Sequence, residues 1–292
     1  MSNFNELKGG LPQGTKFGPL GFLAKFNSAV RLDNLAENNV RLLSLKYVDD
    51  MTIVESSRGN DIHTMQSVLD QFSQWADENN MKLNPDKCAT MTVCFMKNIP
   101  QFPPLRISST ELHIVDCVKI LGVLISSNLR WDKHVNQIYR KASNKIRMLK
   151  LLTKFHLHVA DLLTVYKGYI RPLTEYAAPV WNAGLTKAQV NKLETIQKRA
   201  LKIILGQNYL DYEHALSKSN LVSLSNRRKG LCVDFATKLN CSDMFRQWLP
   251  QPRSSSVQYQ LRNSNNLSVV KCNTNRYKCS PIPYFTSILN DM

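Results

Sequence analysis

Alternation of apolar and polar positions sets in at Leu43, Leu45 and Tyr47, with Ser44 and Lys46 between them, and resumes at Met51 and Ile53 after two aspartates. A period of two on both sides of a polar pair predicts two strands joined by a tight turn. Upstream, the stretch from Phe17 to Asn38 follows a Gly-rich loop and reads as a helix. Residues 61–79 take up helical spacing through Ile62, Met65, Val68 or Leu69, Phe72 and Ala76. Short strand candidates follow at "CATMTVCF", "LRIS", "LHIV" and "VKILGVLI", divided by polar residues and the Pro-rich "IPQFPP".

Beyond Arg130 the pattern turns almost wholly helical. Trp131, Val135, Ile138, Ala142, Ile146, Leu149 and Leu152 step by three or four, and Lys133, Arg140, Lys141, Lys145, Arg147, Lys150 and Lys154 fill much of the remainder. One helix with an apolar stripe and a basic face results. A second helix is expected over 158–177. A third, over 186–205, packs Val190, Leu193, Ile196, Ala200 and Ile203 and shows Lys187, Lys192, Lys198, Arg199 and Lys202. The stretch "PQPRSSSVQYQLRNSNNLS" is a polar segment expected to be mobile, and "IPYFTSILN" a short closing element. The fold class is α+β, in three segments: 1–130, 131–250 and 251–292.

The chain has 292 residues, 43% of them hydrophobic, enough to bury a substantial core. Charge sharpens the division. Residues 1–130 carry 13 Lys and Arg against 13 Asp and Glu, so the whole net charge of +16 falls after Arg130. Such asymmetry suits a neutral module joined to one that meets a polyanion, most plausibly nucleic acid, with a solvated basic surface as the plain alternative. No run approaches the ~20 apolar residues of a membrane span, and the N-terminus lacks the apolar core of a signal peptide. The expectation is an intracellular protein, nuclear or cytoplasmic, not secreted, with no membrane partner. Seven cysteines make no CxxC pair, and Cys232, Cys241, Cys272 and Cys279 are too irregularly spaced for a typical zinc site. His156 and His158 read as surface or packing residues.

Chemistry concentrates at "YVDD". Adjacent carboxylates repel, and a hairpin that keeps both at its tip usually offsets the repulsion with cations. Oxygen ligands on a rigid turn suit Mg²⁺, which takes one or two carboxylates plus substrate phosphates, and a pair of such ions serves phosphoryl transfer. An ordinary polar turn is the competing reading.

The neighbours of this pair decide between them. "GGLPQGTKFGPLGF", "LKYVDDMTIVE", "MKLNPDKC" and "VKILGVLIS" closely resemble, in order and spacing, the motifs of reverse transcriptases, particularly those of non-long-terminal-repeat retrotransposons. Residues 131–206 look like the region that follows the polymerase core in these elements, and "SPIPYFTSILN" resembles their end. The resemblance implies a partial polymerase palm, an antiparallel sheet with packed helices, followed by an all-helical thumb-like region. It implies RNA-directed DNA polymerase activity, with an RNA template, a DNA primer and deoxynucleoside triphosphates as partners. Asp49 and Asp50 match the metal-binding pair, with Tyr47 and Val48 shaping their turn. Gln13 and Gly14 match the loop against template and incoming nucleotide, where Thr15 and Lys16 approach backbone or phosphate. Lys87 matches a lysine near the leaving pyrophosphate. Leu121 and Gly122 match the primer-facing turn, although an ordinary buried strand with a bulge is an equal reading of them. Lys141, Lys145, Lys198 and Arg199 are the candidate contacts to a nucleic-acid backbone.

The same resemblance implies a third catalytic aspartate and a fingers region upstream of the "PQG" loop. The chain begins eight residues before that loop's leading glycine, and neither Glu6 nor Asp33 stands where the family's residue stands. The expectation is therefore an N-terminally truncated reverse transcriptase, inactive alone, with Mg²⁺ held weakly or not at all and an open edge on its palm sheet. Two alternatives stay open: a non-catalytic nucleic-acid-binding module built on the basic helices, and a decayed remnant with no role. Oligomeric state is open too.

Overall fold

The computed structural model describes residues 17–29, 41–56, 64–100, 102–255 and 264–292. The chain is α+β and divides into two compact units, Met1–Val118 and Lys119–Met292.

In the first unit, α1 (Phe17–Asn27) precedes the hairpin of β1 (Arg41–Tyr47) and β2 (Asp50–Ser56), and α2 (Met65–Glu78) follows. Short pieces complete it: β3 (Ala89–Thr90), β4 (Arg106–Ile107), β5 (Thr110–Glu111) and β6 (His113–Ile114). The expected helix from Phe17 to Asn38 ends at Asn27, and residues 30–40 lie outside the described residues. Instead of one antiparallel sheet, the strands form separate pairs: β1 with β2, β4 with β5, and β3 with β6, the last of them parallel. Only Ala89 and Thr90 of "CATMTVCF" are in a strand. The prolines at 100, 103 and 104 offer no backbone donors, so the segment that follows cannot ladder along that run. A small core of Leu69, Ile107 and Leu112 gathers Ile53, Leu83, Cys88 and Leu105 around it. Gln66 ties α2 to β4 by accepting from the Arg106 amide at 2.9 Å and donating to the Arg106 carbonyl at 2.9 Å, as a peptide group would.

The second unit carries the hairpin of β7 (Cys117–Ile120) and β8 (Val123–Ser126), whose first strand straddles the boundary. Then come α3 (Asp132–Leu152), α4 (Val159–Val165), α5 (Arg171–Glu175), α6 (Ala178–Trp181), α7 (Lys187–Leu205), α8 (Tyr212–Lys218), α9 (Leu224–Cys241), α10 (Asn275–Lys278) and α11 (Pro281–Asn290). The single helix expected over 158–177 is interrupted. Between α4 and α5 lies a π turn, Tyr166–Ile170, in which the Arg171 amide reaches back to the Tyr166 carbonyl. Pro172 accounts for it, because a proline ring collides with the carbonyl four residues earlier and a widened turn moves that carbonyl away. The chain then breaks at Tyr176 and Ala177, the latter at φ 51°, before α6. Thr186 and Gln189 cap the start of α7 reciprocally.

The main core runs through α3, α4, the π turn, α6 and α7, with Val135, Ala142, Ile146, Leu149, Tyr166, Trp181, Leu193, Ile196 and Ala200 buried. Contacts of Asp132 with Gln189, Asn136 with Lys192 and Ser143 with Arg199 ascend together, so α3 and α7 run parallel. Cys232, Ala236 and Leu239 of α9 form a second core with Leu249, Leu267 and Phe285. Residues 256–263 of the polar segment lie outside the described residues, while its flanks join through the bridge of Pro252 with Leu267. Among the described residues no helix is long and apolar enough to cross a membrane.

Candidate functional site

The β1–β2 ladder pairs Tyr47 with Asp50, which leaves Val48 and Asp49 as a two-residue turn. Asp49 thus sits at the tip and Asp50 opens β2, both exposed. Val48 has φ 55°. A β-branched residue is disfavoured in that left-handed region, and a turn of this shape normally takes glycine, so the hairpin holds its tip at a local cost of about 1–2 kcal/mol.

Register sends the two apolar runs to opposite faces. Leu43 pairs with Val54 and Leu45 with Thr52, so Leu43, Leu45, Tyr47 and Val54 share a face with Asp50, and these four are 53%, 49%, 61% and 44% exposed. Met51 and Ile53 turn inward with Lys46 and Ser44, and Ile53 joins the small core.

Lys46, the residue before Tyr47, anchors the hairpin to α1. Its ammonium donates to the carbonyls of Phe26 at 3.1 Å, Asn27 at 3.4 Å and Ala29, and lies 5.5 Å from the Phe26 ring centre. It closes the C-terminal end of α1, where carbonyls lack intrahelical partners and a cation is favoured. Desolvation lowers its pKa below the usual lysine value. Phe26 is itself buried against Phe22, Phe72 and Trp75. The residue that leads into "YVDD" is therefore anchored to the helix that follows the "PQG" loop. No local sequence signal marked this contact, since Lys46 occupies the polar phase of the alternation and its partners lie 17 to 20 residues earlier.

Gln13, Gly14, Thr15 and Lys16 lie outside the described residues, as do Glu6 and Asp33. Lys87 is exposed in the 3-10 turn Pro85–Lys87, which Asn84 starts by accepting from the Asp86 amide at 3.1 Å. In the second unit, Leu121 (φ 45°) and Gly122 (φ 86°) form the two-residue turn between β7 and β8, and Leu121 is 47% exposed.

The candidate basic residues differ in freedom. Lys141 is exposed on α3. Lys145 stands 3.1 Å from the Tyr169 ring centre and Lys198 5.0 Å from that of Tyr212. Arg199 donates to the Tyr139 hydroxyl at 3.3 Å and to Ser143 at 3.2 Å, beside Lys192, which donates to Asn136 at 2.6 Å and lies over Tyr139. Cations seated on tyrosines along parallel helices are held in place while staying accessible, which suits contact with a phosphate chain.

Asp49 at the tip and Asp50 opening β2 are adjacent exposed carboxylates, the ligand type a hard cation takes together with water and phosphate oxygens. Among the described residues no group of three or more His, Cys, Asp and Glu gathers to hold a metal. The bridging carboxylate of a two-cation arrangement is not supplied by them.

Residues 3–125 match the family model described as reverse transcriptase (RNA-dependent DNA polymerase). The chain is similar to the RNA-directed DNA polymerase from mobile element jockey of Drosophila melanogaster, 24% identical over 212 residues, and to that of Drosophila funebris, 26% identical over 212 residues. A probable RNA-directed DNA polymerase from transposon X-element of Drosophila melanogaster is 25% identical over 210 residues. Each alignment covers 70% of this chain and 23% of the relative, so the chain spans about a quarter of the length of the relatives it matches. No solved structure matches it.

Proposed function

The chain carries a reverse transcriptase segment at residues 3–125 and is related to the RNA-directed DNA polymerases of non-long-terminal-repeat mobile elements over most of its length, and on that premise we propose that it supplies the hairpin half of such a polymerase's active site together with its helical nucleic-acid grip. The reaction is transfer of a deoxynucleoside monophosphate to a primer 3′-hydroxyl on an RNA template. The first unit is the later part of a palm and the basic helices are a thumb. The observation that carries this reading is the position of Asp49 on a two-residue turn and of Asp50 beside it at the start of β2, in a hairpin anchored through Lys46 inside the matched segment.

Asp49 and Asp50 would hold Mg²⁺ through their carboxylate oxygens. Bound there, the ion supplies Lewis-acid stabilisation of phosphoryl oxygens. Tyr47 lies on the face of Asp50 and borders the nucleotide. Lys87 places a cation where charge develops on leaving pyrophosphate, and Gln13, Gly14, Thr15 and Lys16 line the template and nucleotide. Leu121 and Gly122 face the primer. Lys141, Lys145, Lys198 and Arg199 meet the backbone of the bound duplex. Two-cation chemistry needs a bridging carboxylate beyond Asp49 and Asp50, which the described residues do not supply, so the hairpin is expected to bind primer and template without extending the primer by itself.

Primer extension on an RNA template with Mg²⁺ and deoxynucleotides tests this. The expected result is binding without incorporation. Incorporation that vanishes in Asp49→Ala and Asp50→Ala would show that the segment completes its own site. Incorporation that survives both changes would remove the hairpin from the chemistry.

A second reading, a non-catalytic nucleic-acid-binding module, draws on the tyrosine-seated cations of α3 and α7. It differs in expecting that duplexes with and without a primer end are bound alike.

A further inference from the structure

The turn between β7 and β8 has both central residues at positive φ, 45° for Leu121 and 86° for Gly122. Glycine takes that region freely and leucine does not. One side chain holds the leucine there. The Tyr176 phenol donates to the Leu121 carbonyl at 2.7 Å, and its ring edge stands 3.2 Å from where a Cβ on Gly122 would lie. Tyr176 is itself fixed by its main chain: its amide donates to the Pro172 carbonyl at 2.9 Å, and its carbonyl accepts from the indole of buried Trp181 at 3.0 Å. A contact path thus runs from the helical core through Tyr176 to the turn. Tyr176 remains 57% exposed and Leu121 47% exposed, so the pair presents an apolar surface with a hydroxyl rim. Such a surface suits a sugar and base better than a phosphate.

We propose that Tyr176 is a positioning residue for the primer: it holds Leu121 and Gly122 in the turn shape that receives the 3′-terminal nucleotide. This deepens the proposed function and rests on the primer-facing reading of that turn. Neither the turn motif nor the helix pattern singles out Tyr176, which follows the last residue of α5, Glu175.

The test uses the full chain and two labelled probes, an RNA template carrying a DNA primer with a recessed 3′ end and a blunt RNA–DNA duplex of equal length, compared by fluorescence anisotropy. The wild type is expected to prefer the recessed end. Tyr176→Phe, which keeps the ring and loses the hydrogen bond, is expected to reduce that preference about five-fold. Tyr176→Ala abolishes it. Blunt-duplex affinity, its salt dependence and the circular dichroism spectrum stay unchanged in both, which separates positioning from a role in folding. A recessed-end preference retained in both variants overturns the assignment of Tyr176. A wild type with no such preference overturns the primer-facing reading of the turn, and the wild-type result alone tells the two failures apart.

Discussion

Two residues to which the motifs assign no role set conditions for the rest. Lys46 links "YVDD" to the end of α1 through three carbonyls. Replacing it by methionine keeps the stem and loses the charged donors, at about 2 kcal/mol for hydrogen bonds to a charged group. Urea denaturation followed by tryptophan fluorescence is expected to show the first unit's transition shifted to lower urea. His134 is 3% exposed, packed edge-on against Trp131 and Trp181, and accepts from the Leu124 amide through Nδ1 at 3.3 Å. Desolvation first, and the charge of Lys141 second, lower its pKa to about 4. The unfolded chain, titrating near 6.5, then binds more protons than the folded one between those values. Stability of the second unit is therefore full above about pH 6.5 and falls as pH drops toward 4, by up to about 3 kcal/mol. Urea midpoints measured across that range are expected to show the slope, and His134→Gln to flatten it.

At the scale of elements, legibility followed periodicity. The stripes of α3 and α7 were plain in the sequence because each of those helices buries one apolar face. The period of two around the aspartates marked the hairpin, although its Leu43, Leu45 and Tyr47 face turns outward and the phase with Lys46 inward. Other elements were hidden for identifiable reasons. In α9 the buried row Leu224, Arg228, Cys232 and Ala236 contains a fully buried arginine, its Nε donating to Asn182 at 3.1 Å and its guanidinium over Trp181, so the helix lacks a clean apolar stripe. The interruption at the π turn came from Pro172, whose effect is on backbone and not on hydropathy. At the candidate site, the carboxylate pair was legible as a motif. The anchoring by Lys46 and Tyr176 was not, because contacts between residues 20 and 55 positions apart leave no local pattern. The start of α9 depends on another such contact: Glu194 of α7 accepts from the amides of Leu224 at 2.9 Å and Ser225 at 3.2 Å, and from the Tyr212 hydroxyl. A carboxylate at a helix N-terminus satisfies orphan donors and opposes the helix dipole. Glu194→Ala is expected to destabilise the second unit by about 3 kcal/mol, measured by urea denaturation, because three donors lose their partner together.

At the scale of the whole molecule, residues 1–130 are formally neutral and include Asp49 and Asp50, while the entire net charge of +16 follows Arg130, where the proposed backbone contacts Lys141, Lys145, Lys198 and Arg199 lie. Binding of a primed RNA–DNA duplex should fall steeply with salt, log K losing about 0.9 per log unit of salt for each phosphate neutralised. Reversing Lys141, Lys145 and Lys198 to glutamate is expected to weaken binding and to flatten that slope by up to about 2.7 units. An unchanged slope would place the duplex elsewhere.

The most direct measurement is of the cation itself. Mn²⁺, which shares the octahedral oxygen preference of Mg²⁺, is titrated against the chain and followed by electron paramagnetic resonance, with and without primed duplex and a non-hydrolysable deoxynucleotide. The expected result is weak binding alone that tightens when substrate phosphates are present, and that is lost in both Asp49→Ala and Asp50→Ala. Binding of equal strength in either variant, or none in the presence of duplex and nucleotide, would contradict the assignment of this hairpin as the metal-holding half of a polymerase site.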